Sequence, residues 1–311
     1  MKPKILHIGL CVNPNGYSSF PQAFKDIIGE ENYRELPTNE IDLNAKALII
    51  AAEFKPDIVF MQIQAENIIF KSTCEALKQL GCYVINWTGD KRHTVPQWMV
   101  DLAPYVNCTS FSNMDDVNTM RSLGYHSEYL EIGYDESIYT PIGEKLNMPE
   151  IVFMGNNYGN GYFPMSTFRI EMVEFLQRNY GNRFGVYGNG WKNGNGNFNH
   201  SQHEEAKAYR GAKIAINCSH FDSLNYNSDR LLRILGSGVM CLSYNHLGMR
   251  EVYGGKVDYF KDLDGLKRNI ELYLHNESLR LVNSRMGNEF VLNTFTFKKQ
   301  VENIIKLKVC E

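Results

Sequence analysis

Short apolar runs recur along this chain, each closing on a glycine or a polar loop and each followed by a helical pattern. Few folds accept that order, because parallel strands need a crossover between them, usually a helix. Lys4–Leu10 (KILHIGL) reads as the first strand, and a helix starts near Pro21. Ala45–Phe54 is an amphipathic helix stopped at Lys55-Pro56, and Asp57–Gln62 (DIVFMQ) is a buried strand. Ser72–Leu80 is helical with Gly81 as its stop, and Cys82–Asn86 (CYVIN) is the next strand. Strand Tyr105–Ser110, helix Asp115–Leu123 with Gly124 behind it, and strand Tyr129–Ile132 complete the series.

A second series begins at Ile151–Met154. Helix Thr167–Asn179, strand Arg183–Tyr187, helix Glu204–Gly211 and strand Lys213–Cys218 follow. The stretch Asn225–Tyr253 then repeats the unit. It has a candidate N-cap at Ser228 or Asp229, an apolar-faced helix (Leu231, Leu232, Ile234, Leu235), the stop Gly236-Ser237-Gly238, and strand Val239–Leu242. Helices Leu266–Leu274, Ser278–Glu289 and Phe297–Leu307 end the chain. Pro141, Gly143 and Pro149 give residues 133–149 the composition of a linker. A length of 311 residues suits two domains, since single cores stop growing at about 250–300 residues. The expected division is a Rossmann-like domain over 1–140, a linker over 141–150, a second Rossmann-like domain over 151–293, and a C-terminal helix, 294–311, packing back on the first domain.

Charge narrows the partners. Thirty-two basic and 35 acidic residues leave a net charge of −3, so no global attraction draws the chain to nucleic acid or anionic membrane. No apolar run approaches the ~20 residues of a membrane span, and stable membrane insertion is not expected. Seven cysteines without a CxxC pair read as reduced core thiols, and the expected location is cytoplasmic.

In open α/β sheets, ligands sit beyond the carboxyl ends of strands, which directs attention to the polar loops there. The loop Asn13–Ser19, with Asn15, Gly16 and Tyr17, follows the first strand; without GxGxxG it is either an amide cradle or a connector. Trp87–His93 follows CYVIN and carries Asp90 and His93. A carboxylate or imidazole there can act as base or orient a substrate hydroxyl, unless the loop is a solvated charged turn. Arg230 and Arg233 stand three apart in the first turn of their helix, where cations oppose the helix dipole. An anion should offset them, either Asp229 or a bound phosphate. His200 and His203 lack a third metal ligand nearby, and Asp262-Leu263-Asp264, although a DxD, precedes a helix where Asp serves as N-cap. No metal site is expected.

Two such domains would present strand ends across a cleft, with basic groups on one wall and an acid or imidazole on the other. That layout suits transfer from a diphosphate leaving group to an acceptor hydroxyl, but spacing alone admits several chemistries. Asp229–Glu251 resembles the signature of CgeB-like (spore-maturation-protein type) glycosyltransferases of the GT-B superfamily, a glycosyltransferase group 1-like pattern. That pattern reads roughly R-x-F-E-x-x-x-C-G, an apolar strand, a loop and a Glu-rich turn. Arg230, Gly238, Val239–Leu242 and Glu251-Val252-Tyr253 stand at those places. Phe153-Met154-Gly155-Asn156 and Val186-Tyr187-Gly188-Asn189-Gly190-Trp191 resemble the group's F-x-G-N and Y-G-x-G-W strands. Trp87–Asp90 and Gly133-Tyr134-Asp135 extend the similarity into the first half.

The resemblance implies an α/β fold of GT-B type, two Rossmann-like domains facing across a cleft, with acceptor in the first and nucleotide sugar in the second. It implies donor binding by Gly155, Asn156, Arg169, Tyr187, Gly188, Asn227, Ser228, Arg230, Arg233 and Glu251. Acceptor binding would fall to Asn15, Gly16, Tyr17 and Trp87, and catalysis to Asp90 and His93. The chain departs from the pattern at Arg233, where relatives keep a ribose-binding Glu, and at Asn225, where an earlier Glu often lies. The expected activity is metal-independent transfer of a hexose or related sugar from a nucleotide diphosphate, UDP-linked, to an acceptor hydroxyl, with no further cofactor. The acceptor is a glycan, a protein, a metabolite or, as an outside option, a modified DNA base. Competing readings are a non-catalytic nucleotide- or glycan-binding module and a sugar-nucleotide epimerase on the same fold.

Overall fold

A computed structural model describes residues 2–9, 19–198 and 201–309. The chain forms two compact units, Met1–Ile132 with Phe297–Glu311, and Gly133–Thr296. Each is a parallel sheet with helices on both faces.

In the first unit the elements are β1 (Ile5–Gly9), α1 (Ser19–Ile28), β2 (Tyr33–Pro37), α2 (Leu43–Phe54), β3 (Ile58–Met61), α3 (Lys71–Gln79), β4 (Tyr83–Thr88), α4 (Gln97–Leu102), β5 (Cys108–Phe111), α5 (Met114–Ser122) and β6 (Ser127–Tyr129). The sheet order is β2-β1-β3-β4-β5-β6. Period-two alternation divides its core: Leu6, Ile8, Val59 and Val84 face α2 and α3. Ile5, Phe60, Ile85 and Trp87 face the opposite layer. The chain's last helix, α12 (Phe297–Val309), completes that layer, burying Phe297, Val301 and Ile304 beside α1. Phe20 and Phe297 stand with ring centroids 4.6 Å apart.

The second unit contains β7 (Ile151–Met154), α6 (Ser166–Tyr180), β8 (Phe184–Tyr187), α7 (Gln202–Gly211), β9 (Ile214–Asn217), α8 (Asp229–Gly236), β10 (Met240–Tyr244), α9 (Met249–Tyr253), β11 (Asp258–Phe260), α10 (Leu263–His275) and α11 (Glu277–Thr294). Its order, β11-β10-β9-β7-β8, reverses between β7 and β9. Strand β8 lies on one side of β7 and β9 on the other, so the loops after β7 and β9 diverge and open a crevice at the strands' carboxyl ends. Helix α8 buries Leu231, Leu232, Ile234 and Leu235 against one face, each stabilising by about 1.5–3 kcal/mol.

Residues 141–150, expected as a linker, belong to the second unit. Tyr139 is buried there, and Leu146 N donates to Lys207 O at 3.1 Å. Asp262 caps α10, its Oδ1 accepting from Gly265 N at 2.7 Å, the N-cap role expected of it. Cys74, Cys82, Cys108, Cys218 and Cys241 are buried free thiols. Among the described residues no helix is long and apolar enough to cross a membrane.

Candidate functional site

The crevice between β7 and β9 is occupied by two arginines from different helices. Arg169, in the first turn of α6, is 1% exposed, and Arg230, in the first turn of α8, is 8% exposed. The Arg230 Nε donates to Met154 O at the end of β7, and its Nη1 to Cys218 O beyond β9 at 3.1 Å. Arg169 donates through Nη1 to the same Cys218 oxygen and through Nη2 to Asn156 O at 3.0 Å. Both guanidinium carbons lie over the Phe153 ring, 5.0 and 5.1 Å from its centroid.

Among the described residues neither arginine has a carboxylate within ion-pair distance. Two like charges therefore share a desolvated site, held by carbonyl dipoles and the face of Phe153. Burial and then repulsion from Arg230 lower Arg169 to about 9. Leaving such charges unmatched is costly. An anion with several oxygens would offset both, because the guanidinium fork matches phosphate geometry.

Glycines let the guanidiniums and loops approach. A Cβ on Gly155 would strike the Arg230 and Arg169 guanidiniums. Gly188 takes φ +135°, and a Cβ there would lie 2.5 Å from Gly155 O. The loops behind β7 and β8 are bonded together: Gly155 N donates to Tyr187 O (2.7 Å), Asn189 N to Asn156 Oδ1 (2.9 Å), and Trp191 Nε1 to Gly155 O (2.6 Å).

Beside the arginines stands an aromatic group that sequence reasoning missed. The His220 ring lies 5.2 Å from Tyr158 and 4.6 Å from Phe163, while Tyr158 stacks on Tyr162 at 5.7 Å. Burial, then Arg169 and Arg230, lower His220 to about 3, so it is neutral at physiological pH. Among the described residues its Nδ1 and the Ser228 Oγ are buried without a hydrogen-bond partner. The available signal was position: Ser219-His220 directly follows the apolar strand KIAINC.

Arg233 separates from its helical neighbour. Its Nη2 pairs with Asp229 at 2.6 Å and its Nη1 with Glu205 at 3.1 Å, and its guanidinium lies 5.5 Å from the Tyr139 centroid. Burial opposes its charge, yet Asp229, Tyr139 and Glu205 outweigh that and raise it well above the usual arginine value. Thus Asp229 answers Arg233, not Arg230.

The remaining expected donor residues are dispersed. Asn227 is buried, donating from Nδ2 to Tyr253 Oη at 3.1 Å, and Ser228 is the N-cap residue of α8. The Tyr187 ring stacks on Phe198 at 5.1 Å, and Glu251 is exposed in the first turn of α9.

In the first unit, Trp87, expected to touch the acceptor, is instead a core side chain. It is 3% exposed, edge-on to Phe20 and stacked with Phe60, and its indole donates to Leu130 O at 2.9 Å. Trp87 is the penultimate residue of β4 and still obeys the inward alternation of its strand. The loop beyond it is anchored by Lys91, paired with Asp116 at 2.7 Å, and Arg92, which donates to Gln64 O at 2.9 Å. Asp90 and His93 are exposed on that loop. Asn15, Gly16 and Tyr17 lie outside the described residues. His203 is exposed, and His200 also falls outside. Among the described residues no three His, Cys, Asp or Glu side chains gather as a metal-holding group.

Residues 169–306 match the family model described as glycosyl transferase-like. No curated protein matches the chain in sequence. Among solved structures the chain resembles HepE of Anabaena in complex with UDP and glucose, at 10% identity over 99% of this chain and 100% of that one, with a TM-score of 0.64. A glycosyltransferase from Rickettsia africae aligns at 13% identity over 99% and 98%, TM-score 0.64. The E. coli trehalose-6-phosphate protein bound with UDP-2-fluoro glucose aligns at 10% identity over 98% and 99%, TM-score 0.69. The fold is that of GT-B glycosyltransferases.

Proposed function

We propose that this chain is a glycosyltransferase that takes a hexose or related sugar from a UDP-linked donor and transfers it to an acceptor hydroxyl. The carrying observation is the pair Arg169 and Arg230, two buried charges without carboxylates at the point where the second sheet reverses its order. The GT-B fold, the match over 169–306 and the UDP-containing neighbours support the same reading.

In this reading the guanidiniums hold the diphosphate and stabilise the charge that grows on it as the sugar leaves. The Ser228 hydroxyl and the neutral His220 imidazole are further partners for phosphate oxygens. Arg233 takes no part, since two carboxylates already match its charge. Glu251 is the remaining candidate for the ribose hydroxyls. Charge stabilisation by arginines makes a divalent cation unnecessary, so transfer should persist in excess EDTA. Asp90 or His93 would handle the acceptor proton, and Asp90→Asn with His93→Ala should lower turnover at least a hundredfold, the ordinary contribution of general acid–base catalysis being about 10²–10⁴.

Calorimetric titration with UDP, UMP and uridine tests the donor site. Affinity should rise in the order uridine, UMP, UDP, and Arg230→Ala should weaken UDP far more than uridine. Equal losses for both ligands would contradict a diphosphate role, and an absence of UDP binding would overturn the transferase reading. Incubation with UDP-hexoses then separates transfer from epimerisation or from binding alone.

A further inference from the structure

The first unit holds a cavity of about 380 Å³. It lies beyond the carboxyl end of β3, between the β3–α3 loop and α4. Its volume falls within the range of small-molecule sites, roughly 300–1,000 Å³.

The walls are of two kinds. Trp98 and Phe70 supply aromatic surface, with Phe70 54% exposed. Glu66, Asn67 and Asp101 supply oxygen acceptors. Asp101 is oriented by a hydrogen bond from Gln97 Nε2 (2.8 Å) and faces Lys71 Nζ at 3.6 Å. Two carboxylates against one ammonium make the lining acidic, which disfavours an anion. A purely apolar guest would leave the acceptors without donors. A neutral ring carrying C–H bonds on its faces and hydroxyls on its edge satisfies both walls.

The cavity is formed in advance. Asn44 on α2 accepts from Phe70 N (2.9 Å) and Thr73 Oγ1 (2.8 Å) and donates to Ile68 O (3.2 Å), fixing the loop at two points and α3 at a third. Asn86 Oδ1 accepts from Ile63 N at 3.1 Å. Gln64, in the same loop, bonds to Thr88 (2.7 Å) and Arg92, which ties the cavity to the loop bearing Asp90 and His93. Preorganisation of this kind lowers the cost of binding.

We propose that this cavity is a subsite for a neutral pyranose residue, the sugar of an acceptor glycan, stacked on Trp98 and hydrogen-bonded by Glu66 and Asp101. Its role as acceptor site rests on the transferase reading; sugar binding itself does not.

Ligand-observed saturation-transfer NMR on the full chain tests it, with methyl glucopyranosides, methyl galactopyranosides and N-acetylglucosamine as probes and p-cresol as an apolar control. At least one sugar should receive saturation at its ring C–H protons. Trp98→Ala should abolish that signal and Asp101→Asn should weaken affinity at least fivefold. Phe70→Ala, an exposed change, should weaken it too and keeps the test readable if Trp98→Ala fails to fold. No saturation of any sugar in the native chain, signals unchanged in the variants, or p-cresol binding as tightly as the best sugar would overturn the proposal. UDP titrations run in parallel keep the two readings apart: the variants should leave UDP affinity unchanged, and failure of UDP to bind would count against the transferase reading alone.

Discussion

Arg230 and Arg233 share a helix and nearly a face, yet Arg233 meets Asp229 and Glu205 whereas Arg230 meets carbonyl oxygens and the Phe153 ring. Removing them should have opposite consequences. Arg233→Ala strands two part-buried carboxylates and should lower stability by about 2 kcal/mol, read as a drop in the urea midpoint, while UDP affinity changes less than threefold. Gly155→Ala pushes a methyl group against the guanidiniums. It should cost about tenfold in UDP affinity, roughly 1.4 kcal/mol, with uridine binding unchanged. Arg230's position at the strand ends was legible from its place at a helix start behind a strand. The fate of Arg233 was not, because its second carboxylate, Glu205, comes from α7 and only the fold brings it near.

At the scale of elements, Gly188 joins the loops of β7 and β8 at a positive φ, and a Cβ there would meet Gly155 O. Gly188→Ala should therefore destabilise by about 2–4 kcal/mol through strain and clash, seen as a lowered Tm. Strands with continuous apolar runs, such as DIVFMQ and CYVIN, could be read directly because both faces of a parallel strand are buried. Strand β2 escaped notice: Tyr33-Arg34-Glu35-Leu36-Pro37 is an edge strand, two of its residues exposed and its end a proline. Helices α4 and α9, six and five residues long, are too short to show a period. The aromatic wall of His220, Tyr158 and Phe163 was missed for another reason: its members come from two separate loops, and beyond the place of His220 after a strand no local pattern joins them. Trp87 misled because its polar neighbours suggested a binding loop, whereas strand alternation sends its ring inward.

Across the molecule, buried histidines set the response to acid. Burial lowers His7 to about 4, with Gln62 opposing, and also lowers His220 and His246. Above those values His7 and His220 stay neutral in the folded chain while their unfolded counterparts bind a proton near pH 6.5. Between pH 6.5 and 4 the unfolded state holds more protons, so stability falls as pH falls. For fully buried His7 the slope approaches about 1.4 kcal/mol per pH unit; His220, partly exposed, contributes less. Urea midpoints at pH 7, 6, 5 and 4.5 should decline progressively, and His220→Asn should flatten the decline. A midpoint independent of pH in that window would refute this account.

Helix α12 carries a further consequence, one of order in time. The first unit needs Phe297, Val301 and Ile304 to close its core, but these residues are synthesised only after the whole second unit. At roughly 5–20 residues per second, synthesis of the intervening second unit, Gly133–Thr296, takes on the order of ten to thirty seconds. Throughout that interval the first half waits without Phe297 against Phe20, while the contiguous second half can finish. The part of the chain made first is thus the part that matures last.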